Sequence, residues 1–168
     1  PLILGGLEAS TKTGKVIKYN SIFMFDTLGI PRFRYHKRKL VAFGEVPVFN
    51  RFAPWLQERV NNDTRTIMFE SGKESNLFSI VSQERSYSFG NLVCFEASDS
   101  RMAKEYVNKG ADFLIIESSD LWSNSYDGMV QNALFGVYRA IENRVPVLRS
   151  SNGGPSYHID PVGRIQDS

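Results

Sequence analysis

From Phe89 onward the chain alternates strand, helix, strand, helix, strand, and this order constrains the fold more than any other feature. Phe89-Gly90-Asn91-Leu92-Val93-Cys94-Phe95-Glu96 reads as a strand that ends at Cys94. Ser98, Asp99 and Ser100 offer N-caps for a helix over Arg101–Lys109, and Gly110 stops it. Ala111–Ile116 is almost wholly apolar, as expected of a strand buried on both faces. A second helix is predicted over Tyr126–Arg144, with Met129, Ala133, Leu134, Val137 and Ile141 on one stripe. Val145–Ser150 is the third strand, and Ser156–Ile159 and Arg164–Ile165 flank a turn at Asp160–Gly163. Alternation of this kind predicts an α/β layered fold.

The first half is β-rich. Residues 1–6 and Val16–Phe25 read as the arms of a hairpin-like start, with a turn over Asp26–Pro31 containing Gly29. Residues 46–62 mix prolines with aromatics and read as a long irregular loop. Thr66–Phe69 and Leu77–Val81 read as short strands around Gly72. The opening Pro1-Leu2-Ile3-Leu4-Gly5-Gly6 enters a strand without a preceding turn, so the chain reads as a piece of something longer.

Composition removes several function classes. The 168 residues suit one domain. An apolar fraction of 42% with 23% charged residues argues against intrinsic disorder. A formal net charge of +2, with no run of like charges that forms a basic arm, gives no footprint for nucleic acid. A single cysteine excludes an internal disulfide framework, and His36 and His158 are the only histidines. A metal centre would need carboxylates alone, a poor donor set for zinc. No apolar run approaches the length of a membrane-spanning helix.

Three positions could carry chemistry. Cys94 lies at the carboxyl end of a strand just before a capped helix, where negative charge meets the positive helix end and backbone N–H groups can bind an oxyanion. A lone cysteine is equally at home as a small buried core residue. Lys37 belongs to the basic cluster Tyr35-His36-Lys37-Arg38-Lys39, which is either a solvated face or the source of a buried cation. Glu45 emerges from a constrained turn after Gly44, as a pocket acid or a surface one. Glu96 would share the face of Cys94 if the strand continues, or cap the helix at Arg101. His36 and His158 carry no signature of a Cys–His protease and read as structural.

Together these segments resemble the nitrilase superfamily. Tyr35-His36-Lys37-Arg38-Lys39-Leu40-Val41-Ala42-Phe43-Gly44-Glu45-Val46-Pro47 resembles the lysine motif of the apolipoprotein N-acyltransferases, with Ala42 in place of proline. Leu92-Val93-Cys94-Phe95-Glu96 resembles their Cys-Tyr-Glu nucleophile motif, with Phe95 for tyrosine. Asp120-Leu121-Trp122 resembles their Asn-Asp-x-Trp element, with Ser119 for asparagine. Arg139–Gly154 and Asp160–Ile165 match the later helix, strand and turn.

The resemblance implies an α-β-β-α sandwich over residues 1–168, lacking its opening elements and the membrane helices that flank it in the acyltransferases. It implies Cys94 as the nucleophile, Lys37 as stabiliser of the tetrahedral intermediate and Glu45 as the carboxylate that orients them. Glu96 and Phe95 support the nucleophile, and Trp122 lines the pocket. The family's general-base glutamate belongs to an upstream motif not present here, and Glu8 follows the first strand rather than preceding it.

The implied activity moves an acyl chain from a phospholipid, through a Cys94 thioester, to the N-terminal amine of a diacylglyceryl-cysteine lipoprotein. That would occur on the periplasmic side of the bacterial inner membrane, with no cofactor, metal or nucleic acid. Phe49, Phe52 and Trp55 would form a lipid-access loop. A soluble nitrilase-like amidase and an inactive nitrilase-fold scaffold are the alternatives.

Overall fold

The computed structural model describes residues 1–12, 15–42, 44–46, 69–123 and 125–166. β1 (Leu2–Lys12) and β2 (Lys15–Phe25) pair antiparallel in unbroken register from Leu2 opposite Phe25 to Lys12 opposite Lys15. The first arm therefore runs six residues beyond the expected end at Gly6. β-branched and aromatic residues on β2, such as Val16, Ile17, Tyr19 and Ile22, favour this extended pairing. Asp26 forms the following turn: its carboxylate accepts the N–H groups of Leu28 and Ile30, both at 2.9 Å. Gly29 there has φ +76°, a conformation that favours glycine. β3 (Pro31–His36) then returns along β2.

Among the described residues the second sheet has six strands in sequence order: β4 (Phe78–Ser82), β5 (Arg85–Val93), β6 (Phe113–Ser119), β7 (Val147–Asn152), β8 (Tyr157–Ile159) and β9 (Ile165–Gln166). β5, β6 and β7 run parallel, and the flanking pairs are antiparallel. Helices α1 (Ser100–Asn108) and α2 (Tyr126–Asn143) make the two crossovers.

A row of aromatic rings joins the two sheets. Phe33 stacks on Phe78 at 5.2 Å, Phe78 meets Phe89 edge-on at 5.6 Å, and Phe89 stacks on Phe113 at 5.0 Å. These are the offset and edge geometries that ring quadrupoles favour. Helices cover the opposite face of the larger sheet. A Cβ on Gly90 would lie 2.3 Å from the Tyr106 ring, so α1 can pack this closely only over a glycine. The order is helix layer, sheet, sheet. Among the described residues no helix covers the outward face of β1–β3, where Leu2 and Leu4 are exposed.

Several expectations shift locally. β5 stops at Val93, one residue short of the expected end at Cys94. Asp99, not a flanking serine, caps α1, and its side chain accepts the Arg101 N–H. The buried face of α2 is Asn132, Ala133, Gly136, Arg139 and Ala140, while Leu134 and Ile141 are about two-fifths exposed. The stripe is rotated because the sheet admits only small side chains: a Cβ on Gly136 would already lie 3.0 Å from Ile159. Residues 47–62 and Thr66–Met68 lie outside the described residues.

Candidate active site

Beyond Val93 the chain does not continue as strand. Cys94 has φ +50° and opens a five-residue 3-10 helix, Cys94–Ser98. A non-glycine residue in this region costs on the order of 1–3 kcal/mol and persists only where its surroundings impose it. Glu96 does so here. Its carboxylate, fully buried, accepts the Val93 N–H at 2.8 Å, the Arg38 N–H at 2.6 Å, the Lys39 N–H at 2.9 Å and the Tyr35 hydroxyl at 2.9 Å. The expectation that Glu96 shares the Cys94 face or caps the helix at Arg101 is corrected: the sharp turn sends its carboxylate back under the strand end. Burial pushes this carboxyl up, against the pull of its four donors.

Those same donors fix the segment that carries Lys37. Lys37 extends the pairing of β3, its N–H bonding the Asn20 carbonyl at 2.8 Å. Its side chain is only 1% exposed, and Nζ donates to Glu45 Oε2 at 2.6 Å. Glu45 also accepts from Asn20 Nδ2 at 3.0 Å and from the Val41 N–H at 2.9 Å. The basic run thus splays onto separate carboxylates: Arg38 reaches Glu105 at 2.9 Å and Lys39 reaches Asp99 at 3.0 Å. His36 turns away, stacking on Tyr19 and bonding Glu8 at 2.9 Å.

A cavity of about 780 Å³ opens between the sheets at the carboxyl ends of β5, β6 and β7. Cys94, Lys37, Glu45, Phe95 and Trp122 all border it. Open α/β sheets bind ligands at this end of their parallel strands. Phe95 and Trp122 are exposed at its rim, Trp122 by 66%. Phe49, Phe52 and Trp55 lie outside the described residues.

Under Trp122 lies a sealed polar knot. Asp120, fully buried, pairs with Arg149 at 2.7 Å and accepts from Ser118, Ser151 and Asn132 at 2.7–2.8 Å. Burial pushes its carboxyl up, but the bonds from Ser118, Arg149, Ser151 and Asn132 outweigh it and hold the group below its ordinary value. Gly154 is required beside it, since a Cβ there would fall 2.0 Å from Asp120 Oδ2. Among the described residues no group of His, Cys, Asp and Glu could hold a metal ion.

Residues 1–167 match the carbon-nitrogen hydrolase family model. The chain belongs to that family. It is 36% identical over 137 residues to apolipoprotein N-acyltransferase 1 of Treponema denticola, covering 79% of this chain and 24% of that protein. It is 32% identical over 177 residues to apolipoprotein N-acyltransferase 1 of Treponema pallidum, covering 99% and 31%. The chain therefore spans about a quarter to a third of the length of these curated relatives. Among solved structures, Nit3 of Saccharomyces cerevisiae, a member of branch 10 of the nitrilase superfamily, matches with a TM-score of 0.64 at 22% identity, covering 96% of this chain and 52% of that one. An amidase from Nesterenkonia sp. matches with the same TM-score at 15% identity, covering 98% and 55%. The fold is that of the nitrilase superfamily.

Within this carbon-nitrogen hydrolase fold, several polar residues of the site carry no signal in the sequence. Asn20 sits mid-strand, yet its carbonyl holds Lys37 and its amide holds Glu45. Tyr35 stands in the sequence only as the first residue of the lysine-motif segment, yet its hydroxyl reaches Glu96. Glu117 follows the apolar run Phe113–Ile116 in β6, and it borders the same cavity as Cys94. Inward alternation along β6 is the only hint of its direction, because it follows Phe113 and Ile115 at a period of two.

Proposed function

We propose that Cys94 is the nucleophile of an acyl transfer in which a phospholipid is the donor and the N-terminal amine of a diacylglyceryl-cysteine lipoprotein is the acceptor. The observation that carries this reading is the strained turn at Cys94, which opens onto the cavity that also holds Lys37 and Glu45. The names of the similar proteins, apolipoprotein N-acyltransferases, support acyl transfer to a lipoprotein amine.

In the first half-reaction the Cys94 thiolate attacks the ester carbonyl carbon of the lipid. The ammonium of Lys37 stabilises the tetrahedral oxyanion, Glu45 fixes the lysine, and Glu96 holds the backbone of both motifs in place. Collapse breaks the ester C–O bond, leaving a thioester on Cys94 and a lysophospholipid that takes up a proton. In the second half-reaction the lipoprotein amine replaces the thiol. A thiol intermediate divides one difficult acyl transfer into two easier steps. Phe95 and Trp122 supply apolar surface at the cavity rim, where an acyl chain would pass. The setting we assign is the periplasmic side of the bacterial inner membrane; among the described residues no helix is long and apolar enough to cross a membrane.

Incubating the complete protein with phospholipid vesicles should give an acyl adduct, read by intact-mass spectrometry and localised to Cys94. The adduct should be absent from Cys94→Ala. An adduct surviving in that variant, or none in the wild type, overturns the reading. Loss of the wild-type adduct to water as fast as to a lipopeptide amine would make the protein an amidase-like hydrolase instead.

A further inference from the structure

The carboxylates around the cavity are not equivalent. Glu45 is occupied by Lys37, Asn20 and the Val41 N–H; Glu96 by four donors; Asp120 by Arg149 and three more side chains. Glu117 differs from all of them. Among the described residues it has no ion pair and no side-chain partner, only the Gly5 backbone beside it, yet it borders the same cavity as Cys94. Its position is fixed by register. Glu117 stands opposite Val93, the residue before Cys94, on a strand about 4.8 Å away. On its other side it stands opposite Ser150 of β7, which also borders the cavity. The space for its head group is made by Gly5 of the facing sheet, where a Cβ would fall 2.9 Å from Glu117 Oε2. An acid at the end of the apolar run Phe113–Ile116, set against a glycine and without an ion pair among the described residues, is costly unless a cation arrives.

We infer that Glu117 is the acceptor-recognition residue of the second half-reaction, the carboxylate that receives the ammonium of the incoming amine next to the Cys94 thioester. This rests on the acyl-transfer reading above. The ammonium gives one proton to Glu117 and becomes a free amine. Its lone pair then attacks the thioester carbonyl carbon, forming the C–N bond. The C–S bond breaks, and the departing sulfur takes the second nitrogen proton. One proton remains on the amide nitrogen, one on Cys94 and one on Glu117. The direction in which the Glu117 carboxyl is displaced agrees, since burial pushes it up and the nearby Gly5 backbone only partly opposes that.

The test separates the half-reactions in the complete protein. In Glu117→Gln, phospholipid should still form the thioester on Cys94. Transfer to a lipopeptide with a free α-amine should fall about 10- to 100-fold, the worth of one charge-assisted hydrogen bond, and Glu117→Asp should recover part of it. Discharge by hydroxylamine, a nucleophile neutral near pH 7, should match the wild type. A second measurement needs no variant. The N,N-dimethyl lipopeptide, cationic but unable to form an amide, should inhibit transfer at least about tenfold better than its N-acetyl counterpart. Equal loss with both nucleophiles, loss of thioester formation itself, or equal inhibition by the two analogues overturns the inference. If phospholipid never loads Cys94, the acyl-transfer reading fails on its own. Loading with a short activated ester then still compares the amine with hydroxylamine in Glu117→Gln and wild type.

Discussion

The cavity has two polar walls, and buried charge enters them differently: Lys37 and Glu45 line one, while Asp120 and Arg149 lie next to Ser119 and Ser150 of the other without bordering the cavity themselves. On the β6–β7 side, Asp120 and Arg149 are sealed, at 0% and 1% side-chain exposure, and every accessible direction of the carboxylate is filled. On the β3–β5 side, Lys37 is as deeply buried, but its partner Glu45 keeps 14% of its side chain open to the cavity. The sealed pair is a strut: it joins the ends of two strands to α2 through Asn132, and moving it would strand a charge. The open pair leaves an ammonium bordering the same cavity as a cysteine on a strained turn. A compact ammonium with rotatable donors can turn toward a developing oxyanion, while a planar guanidinium bonded on two sides cannot. The difference separates the wall that holds the cavity's shape from the wall that we propose acts in it.

The largest effect should come from breaking the strut. Asp120→Ala leaves Arg149 buried without its counter-charge, a change that typically costs about 3–5 kcal/mol. Chemical unfolding should show the free energy falling by that amount, with a lower midpoint at unchanged slope. A loss under about 1 kcal/mol would mean that water or a rotated side chain replaces the carboxylate easily, and the distinction between the walls would fail.

The open wall should answer in rate rather than in stability. On the proposed mechanism Lys37→Ala lowers the rate of Cys94 acylation about 10²–10³-fold, the usual cost of losing one oxyanion stabiliser. Lys37→Arg should do nearly as badly, because a planar fork does not fit the space of an ammonium. Glu45 faces the cavity and can take up water, so the stability change should be smaller than for Asp120→Ala. Near-normal acylation by Lys37→Ala would reduce this wall to a second strut.

The sequence makes the parallel half of the fold legible, and it does so for a physical reason. Apolar strands flanked by capped helices have few ways to bury themselves, so Ala111–Ile116, the ends of α2 and the Asp160–Gly163 turn lie close to their expected places. Local patterns fail where a single residue is redirected by distant partners. Glu96 follows Cys94 by two, which in a strand means the same face. The positive φ at Cys94 cancels that, and the donors that cause it sit about 60 residues earlier in the chain, on Tyr35, Arg38 and Lys39. Asn20 and Glu117 escape for the same reason, since their roles exist only once the two sheets face each other. The motif residues Cys94, Lys37, Glu45 and Glu96 are nameable from their resemblance to a family, while Asn20 and Glu117 are not.

The two walls also differ in how acid should act on them. The Asp120 carboxyl is held below its ordinary value, so its contribution is complete above about pH 4 and is lost as pH falls through its own lower pKa. The Glu96 carboxyl, behind Cys94 and Lys37, is displaced upward by burial, so its contribution is complete in acid and declines as pH rises through the raised pKa. The stability gap between wild type and Asp120→Asn should therefore shrink as pH falls below about 4. The gap between wild type and Glu96→Gln should shrink as pH rises from acid toward neutrality. Urea unfolding across pH 3–8 reads both slopes. Slopes of the same sign would show that the four donors on Glu96 outweigh its burial, making it a second Asp120.

The smallest effect on folding belongs to the residue that hangs from the sealed wall into the open cavity. Trp122 follows Asp120 by two, and the turn that presents it is closed by the Ser123 N–H bonding the Asp120 carbonyl at 2.9 Å. Two-thirds of its surface is exposed, so the indole contributes little to the core. Trp122→Ala should change stability by no more than about 0.5 kcal/mol, as for other exposed positions. A large apolar ring left exposed at a cavity rim is nonetheless surface that an acyl chain can cover, at about 25 cal/mol per Å² buried. The same variant should therefore raise the concentration of long-chain phospholipid needed for half-maximal acylation of Cys94, and leave acylation by a short water-soluble thioester unchanged. A marked drop in unfolding midpoint instead would place Trp122 in the strut, and unchanged dependence on long-chain donor would remove it from the lipid path.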